Sequence, residues 1–242
     1  MSTEFDRRRF IAASGITAAA AIATTAVSQS SAAAQAASTS GRSPVPYEIK
    51  PMPFDPSRIK GMSEKLLISH YQNNYAGAVK RLNAIDDQLA TLDWPSAATF
   101  LINGLKREQL IATNSMILHE HFFNALGGGG RPAGALAAAI DRDFGSFERW
   151  SAEFSAMGRA EGGGSGWVIL TYSPRDKRLV NAWAADHTTT LAAGRPVLVL
   201  DMYEHAYHMD FGAKADGYVD AYMEGIRWEN SAQLYDRYSG ET

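Results

Sequence analysis

PVLVLDMYEHAY, residues 196–207, joins an apolar run to a group of polar and aromatic side chains. The first six residues predict a mostly buried β-strand that ends on Asp201. His205 follows four residues later, so a carboxylate and an imidazole leave the end of one strand together. A metal site fits this spacing, and so does a strand-terminal aspartate that caps the next turn. The spacing alone slightly favours the cap.

Upstream of this stretch, the chain begins with a helical half. Apolar side chains recur every three or four residues over 63–92, which predicts a helix capped by Ser63. A second, short helix is expected over 96–105. A third is expected over 107–126, and the glycine run 127–130 ends it.

Beyond the glycine run the pattern becomes mixed. The predicted helices span 134–141, 146–160 and 216–234, and the predicted strands span 167–172, 179–184 and 196–201. We therefore predict an α+β protein. An N-terminal helical hairpin domain over 63–130 precedes an α+β domain over 131–242, which has a small three-stranded antiparallel sheet.

The composition is that of an ordinary globular protein. Of its 242 residues, 45% are hydrophobic and 20% charged, and the formal net charge is −3. This balance gives no indication of a nucleic-acid partner or of a basic membrane patch. Cysteine is absent, so disulfides, thiolate metal sites and cysteine nucleophiles are excluded. Any metal chemistry must use His, Asp and Glu.

The N-terminus has the pattern of an export signal. Three arginines at positions 7–9 precede an uncharged, Ala-rich run over 12–27 and small residues typical of a cleavage site. We predict a twin-arginine-type signal peptide over 1–36 and an extended lead-in over 37–62. The mature protein is then expected in the periplasm or outside the cell, with no membrane segment after cleavage. A membrane anchor is disfavoured because the run falls short of the ~20 residues that a span needs.

Two histidines lie in the middle of predicted helices. His70 and His119 both have apolar neighbours, and a single histidine in such a place is more often a hydrogen-bonded core residue than a ligand. His121 lies two positions after His119, so it points away from the same helical face and is expected to be structural or exposed.

Five segments together carry a resemblance to a known family. DMYEHAY at 201–207 resembles the signature D-x-W-E-H-A-Y of the iron/manganese superoxide dismutases. FGSFERWSAEFSAMG at 144–158 and GGGSGWVIL at 162–170 resemble the segment between that family's two halves. LHEHFFNALGG at 118–128 and SHYQNNYAGAVKRLN at 69–83 resemble the helices that carry its first two ligands. The similarity runs in order from 62 to 234.

The resemblance implies a mononuclear metal site and a redox reaction. Its ligands would be His70, His119, Asp201 and His205, which bind one Fe or Mn ion per chain. Three neutral imidazoles and one carboxylate leave a position for solvent on a first-row metal. The implied activity is conversion of superoxide to dioxygen and hydrogen peroxide. Both metals use these ligand types, so the ligand set does not choose between them.

Several residues around the implied ligands depart from the family pattern. Asn74 and Ala78 stand where the family has a histidine and a tyrosine, four and eight residues after the first ligand. Tyr203 replaces the tryptophan of the signature, and His208 replaces a second tyrosine. One interpretation is a dismutase whose proton relay is rebuilt from Tyr203, His208 and His187.

His187 is our candidate partner for the metal-bound solvent. By alignment, the family's solvent-binding glutamine is replaced either by His187 or by nothing, and in some iron-type relatives a histidine takes that role. The basic residue that attracts the anion aligns with Ala215, although Lys214 is adjacent. These changes gather around the substrate channel rather than around the ligands.

The resemblance also implies a homodimer. Glu204, beside His205, resembles the glutamate that reaches the equivalent histidine of the partner subunit, and Trp167 is expected beside the ligands or at this contact. A tetramer is equally compatible with the sequence.

Other functions stay open at this point. The altered residues also fit a related metalloprotein with an oxidase-type or peroxidase-type activity, or a metal-binding or structural protein with little turnover. A di-iron site is disfavoured because Glu120 and His119 are not part of a repeated E-x-x-H pair. The glycines at 162–166 precede a strand and lack a following Lys, so they predict a close backbone approach rather than a phosphate loop.

Overall fold

The computed structural model describes residues 44–241, so the predicted signal peptide (1–36) and the start of the lead-in lie outside the described residues. From 44 to 62 the chain is irregular except for a short 3₁₀ turn, Pro56–Arg58. Hydrogen bonds hold this segment on the helical half. Tyr47 N donates to Asn83 Oδ1 at 2.8 Å, and Lys50 N donates to Tyr75 Oη at 3.0 Å.

The first predicted helix forms, but one turn of it is wider than an α-helix. Helix α1 covers Glu64–Ser69, a π-helical segment covers His70–Tyr75, and α2 covers Ala76–Ala90. Ser63 is the N-cap, as predicted, because its hydroxyl accepts a hydrogen bond from Leu66 N at 3.1 Å. Single π-helical turns of this kind are frequent at functional sites. This one begins on His70.

The two helices predicted over 96–105 and 107–126 are one helix in the structure. Helix α3 runs without a break through Thr99–Asn124 and packs against α2, so a long hairpin forms. The prediction of a break was wrong because the weak helix formers near the junction, Asn103 and Gly104, together cost only ~1–2 kcal/mol there. Contacts along the hairpin outweigh that cost.

The mixed half contains the predicted three-stranded antiparallel sheet. Helices α4 (Gly134–Phe144) and α5 (Phe147–Glu161) precede strands β1 (Trp167–Ser173), β2 (Arg178–Ala184) and β3 (Arg195–Asp201). The strand order is β2-β1-β3, and β1 is buried along its whole length. Trp167 at the start of β1 pairs with Asp201 at the end of β3, so both lie at the same edge of the sheet.

The single last helix predicted over 216–234 is two helices. A 3₁₀ turn (Glu204–Ala206) and a short helix α6 (His208–Phe211) lead to α7 (Ala215–Glu224) and α8 (Trp228–Gly240). The chain breaks at Gly225, whose carbonyl accepts hydrogen bonds from Gly127 N and Gly128 N. A Cβ on Gly128 would lie 2.5 Å from the Cα of Arg227, so the glycine run allows the two halves to approach closely.

One large hydrophobic cluster spans both halves of the described chain. It combines side chains of the hairpin, such as Leu67, Leu82 and Phe122, with Leu198 of β3 and Tyr222 of α7. A smaller cluster lies between α3 and the sheet and includes Leu118, Trp167, Ile169 and Val199. Within residues 44–241, no helix combines the length and the apolar character that crossing a bilayer would require.

Candidate metal centre

Four side chains from four separate elements converge at the edge of the sheet. They are His70 from the π-helical segment, His119 from α3, Asp201 from the end of β3 and His205 from the 3₁₀ turn. One potential ligand atom from each lies within 4.8 Å of all the others. The structure therefore brings together all four residues that the resemblance implied as ligands.

Asp201 is at the middle of this group. Its Oδ2 lies 3.0 Å from His70 Nε2, 3.1 Å from His205 Nε2 and 3.5 Å from His119 Nε2. Two atoms that each bind one first-row ion at ~2.0–2.2 Å are separated by ~3.0–3.5 Å at ordinary coordination angles. The observed separations therefore match neighbouring ligands of a single ion.

The hydrogen bonds of His119 show which of its nitrogens is available. Its Nδ1 lies 2.6 Å from the carbonyl oxygen of Ser115, one helical turn earlier. Since a carbonyl only accepts, Nδ1 carries the proton and Nε2 has a free lone pair. His119 Nε2 is buried and has no hydrogen-bond partner in the described chain. A buried lone pair directed at a carboxylate is unfavourable unless a cation lies between them, so the residues fit a metal ion.

Burial and charge favour neutral imidazoles beside an ionised carboxylate. His70 and His119 are each 1% exposed and Asp201 is fully buried. Burial lowers the pKa of His70, and burial together with the neighbouring His70 lowers the pKa of His119 to about 3. Burial would raise the pKa of Asp201, but the electrostatic interactions and hydrogen bonds of its carboxylate with His205 and His70 outweigh burial and hold this pKa below its usual range. These are the protonation states that metal ligands need.

Asp201 also has the structural role that the sequence left open. Its second oxygen, Oδ1, accepts a hydrogen bond from Tyr203 N at 2.9 Å, so it caps the turn after β3. Its backbone carbonyl accepts a hydrogen bond from the buried hydroxyl of Tyr218 at 2.7 Å. The two interpretations of the Asp201–His205 spacing, a turn cap and a metal site, are therefore compatible. One oxygen of Asp201 caps the turn while the other faces the histidines.

An aromatic layer covers one side of the four residues. The Trp167 ring stands edge-on to His119, with centroids 5.2 Å apart, and its Nε1 donates to Nδ1 of His187 at 3.0 Å. Tyr203 stacks between His187 and His205, at centroid distances of 4.7 and 5.3 Å. Three residues singled out from the sequence, His187, Tyr203 and Trp167, thus lie together beside the centre.

Two other residues noted in the sequence lie away from the pocket beside the centre. His208 is exposed at the start of α6, and it is not among the residues that line the pocket beside the centre. Lys214 is also exposed and lies with Gly162 and Gly163 on a different depression. In contrast, Asn74 of the π-helical segment and Ala78 of α2 both line the pocket that reaches His119.

The sequence did not identify every residue that supports the centre. Ser115 lies four residues before His119, so helical spacing could have marked it as a hydrogen-bond partner. Tyr218 acts from a helix 17 residues beyond Asp201, and no local pattern connects the two. His121 behaves as expected, since it is half-buried and belongs to none of these contacts with the centre.

Comparison with known proteins gives the same family from the sequence as a whole. Residues 132–234 match the family model for the C-terminal domain of iron/manganese superoxide dismutases. A protein of Cupriavidus metallidurans named superoxide dismutase [Fe] is 67% identical over 189 residues, which cover 78% of this chain and 96% of that protein. Superoxide dismutase [Mn] 1 of Halobacterium salinarum is 33% identical over 199 residues, covering 79% of this chain and 96% of that protein.

The family match explains the geometry of the centre. A superoxide dismutase of this type needs a buried site for one redox metal, and three histidines and one aspartate of the appropriate protonation converge here. Fold, donor set and sequence similarity agree: the chain belongs to the iron/manganese superoxide dismutase family.

Proposed function

We propose that His70, His119, Asp201 and His205 bind the single metal ion with which the chain converts superoxide to dioxygen and hydrogen peroxide. The observation that carries this assignment is the approach of three imidazole nitrogens to one oxygen of Asp201, within 3.5 Å, in a buried site. We further propose that the ion is iron, because the relative with 67% identity is named an iron enzyme.

The ion, when bound, supplies the one-electron exchange, and the protein supplies position and protons. Two superoxide ions and two protons give one dioxygen and one hydrogen peroxide, so protons must reach a buried site. The charge of Asp201 offsets part of the charge of the ion, while the neutral histidines add none. The fully buried Trp167 and Val199 exclude bulk water from the sheet side.

His187 is the proposed proton donor at the site. The indole Nε1–H of Trp167 can only donate, so Nδ1 of His187 accepts, and the proton of the neutral ring lies on Nε2. Burial lowers the pKa of His187, which favours the neutral ring at pH 7. His187 lines the same pocket as His119 and His205, so its Nε2–H is available to a solvent or substrate molecule there. Tyr203, stacked on His187, is proposed to fix the plane of that ring.

The experiment that tests the metal assignment compares two histidines on the same helix. We expect His119→Ala to lose stoichiometric metal and all dismutation, whereas the matched control His121→Ala keeps both, because His121 is outside the centre. Metal content by elemental analysis and dismutation should be measured on the same samples. A His119→Ala protein that retained one metal ion per chain would contradict the ligand set.

The same measurement tests the alternative activities. Ala78 gives the pocket a small side chain where the family pattern has a tyrosine, which favours a wider channel and the second candidate, a redox enzyme with another substrate. Full iron with fast dismutation supports the main proposal. Full iron with negligible dismutation would support the alternative, and full manganese would correct the choice of metal.

We also propose a homodimer through Glu204 and His205. Glu204 is exposed beside His205 and has no side-chain hydrogen bond or ion pair within residues 44–241, so its carboxylate is available to a second subunit. Glu204→Gln should weaken the dimer by at least tenfold in dissociation constant, measured by analytical ultracentrifugation. A dimer of unchanged affinity would contradict this contact.

Export is proposed from the sequence of the N-terminus. The arginines at 7–9 and the apolar run that follows support cleavage near residue 36 and a location in the periplasm or outside the cell. N-terminal sequencing of native protein should find a start near residue 37. Native protein that still begins at Met1 would contradict this proposal.

A further inference from the structure

A pocket of about 370 Å³ connects the protein surface to the metal centre. Its inner end is formed by His119, His187 and His205, and its wall includes Asn74, Ala78 and Arg81. His70, His119 and Asp201 are buried, so this pocket gives a small anion a route to the ligands.

Arg81 supplies the charge of this pocket. Among the described residues that line it, Arg81 is the only lysine, arginine, aspartate or glutamate. It follows Ala78 by three residues on α2, so these two side chains share one face of the helix, and Asn74 of the π-helical segment lines the same pocket. Its side chain is 57% exposed, which puts the guanidinium at the outer end, where an arriving anion first meets the protein.

A neighbouring carboxylate restrains the arginine. Arg81 Nη2 donates to Glu108 Oε2 on α3, and the other oxygen of Glu108 lies 3.8 Å from Arg107 Nη1. Two positive charges therefore share one negative charge beside the pocket. Asp186, which adjoins His187, stays ionised, but its carboxylate accepts hydrogen bonds from the backbone N–H and hydroxyl of Thr188 and forms no ion pair with Arg81.

Arg81 and His187 line the same pocket, so the positive charge of Arg81 lies along the path that ends at His187 and the ligands His119 and His205. Lys214, the basic residue suggested by the sequence, lies on a different depression and cannot take this role.

We propose that Arg81, positioned by Glu108, attracts superoxide into the pocket and so determines how fast the substrate anion reaches the metal centre. This inference rests on the superoxide dismutase activity of the chain. A single charge ~10 Å from the path of an anion changes its local concentration about two- to fourfold at low ionic strength, and salt removes the effect.

The test uses metal-loaded variants that change one charge each. Arg81→Gln removes the proposed attraction, and Glu108→Gln removes the charge that opposes it. Arg195→Gln is the matched control, because Arg195 also pairs with a carboxylate, Glu241, but lies at the end of β3 opposite to Asp201. For each variant, kcat/KM for superoxide is measured against ionic strength, and inorganic azide is titrated to obtain its dissociation constant.

We expect Arg81→Gln to lower kcat/KM about two- to fourfold at low ionic strength, to flatten its salt dependence and to weaken azide binding by a similar factor. Glu108→Gln should raise kcat/KM about twofold, and Arg195→Gln should match the wild type. An Arg81→Gln enzyme with wild-type salt dependence and azide affinity would overturn the proposal, even if its turnover fell. A wild-type enzyme with full metal and azide binding but no turnover would instead refute the proposed function.

Discussion

Trp167→Phe is the substitution that best tests how the protein controls His187. The indole of Trp167 is fully buried, and its Nε1–H donates to His187 Nδ1 at 3.0 Å. Phenylalanine keeps an aromatic ring against His119 but has no donor. The substitution therefore removes the hydrogen bond that determines which nitrogen of His187 carries the proton.

The size of the effect follows from these contacts. A half-buried acceptor left without its donor costs ~1–3 kcal/mol, so the free energy of unfolding should fall by about 2 kcal/mol. For a domain the size of residues 44–241, a loss of about 2 kcal/mol should lower the melting temperature by about 4–8 °C. His187 is then free to change tautomer or to rotate, and turnover should fall about tenfold, the lower end of the range for residues that orient a metal site.

The assay combines metal content, turnover, reduction potential and the pH dependence of kcat/KM. We expect about one metal ion per chain in Trp167→Phe, together with a shifted potential and a changed pH profile. Trp183→Phe is the control, because Trp183 is 58% exposed on β2 and the change is chemically the same. A lower melting temperature with an unchanged potential and pH profile would refute the role of Trp167 in positioning His187.

Two further predictions concern the buried polar groups around β3. Burial raises the pKa of Glu161 to about 7, so the stability of the folded protein that depends on the protonated carboxyl is complete below pH ~4.5 and is lost as the pH rises through 7. Glu161→Gln should therefore raise the unfolding free energy by ~1–2 kcal/mol at pH 8 and change it little at pH 4. Chemical denaturation that gives the same difference at both pH values would contradict this. The Tyr218 hydroxyl donates to the carbonyl of Asp201, and the Tyr222 hydroxyl donates to the carbonyl of Val199. Tyr218→Phe and Tyr222→Phe should each lower the unfolding free energy by ~1 kcal/mol. Only Tyr218→Phe should also weaken metal retention against a chelator, and equal retention in both variants would count against a role of Tyr218 in holding Asp201.

The sequence predicted those parts of the fold that depend on local patterns. Alternating and apolar runs gave the three strands, and Ser63 gave the start of the first helix. The resemblance, rather than spacing, brought the four candidate ligands together. The spacing of Asp201 and His205 alone slightly favoured a cap over a metal site, and in the structure the aspartate serves both.

The features that the sequence missed depend on contacts between distant segments. The break between α7 and α8 forms because Gly225 accepts hydrogen bonds from the glycine run some hundred residues earlier. The continuity of α3 comes from packing on α2, and the wider turn at His70 has no local signal. Arg81 was missed for the same reason, because its relation to the pocket requires α2, α3 and the loop after β2 together.

The double use of Asp201 has a consequence for how this chain can evolve. One of its oxygens holds the turn after β3 and the other faces the histidines, so selection for folding and selection for activity act on the same residue. A descendant that no longer needed the metal would still lose stability by replacing Asp201, whereas His119 would be free to become an apolar residue of similar size. In lineages that lose the activity, we therefore expect His119 to disappear first and Asp201 to persist together with His70 and His205, which keep its buried carboxylate ionised.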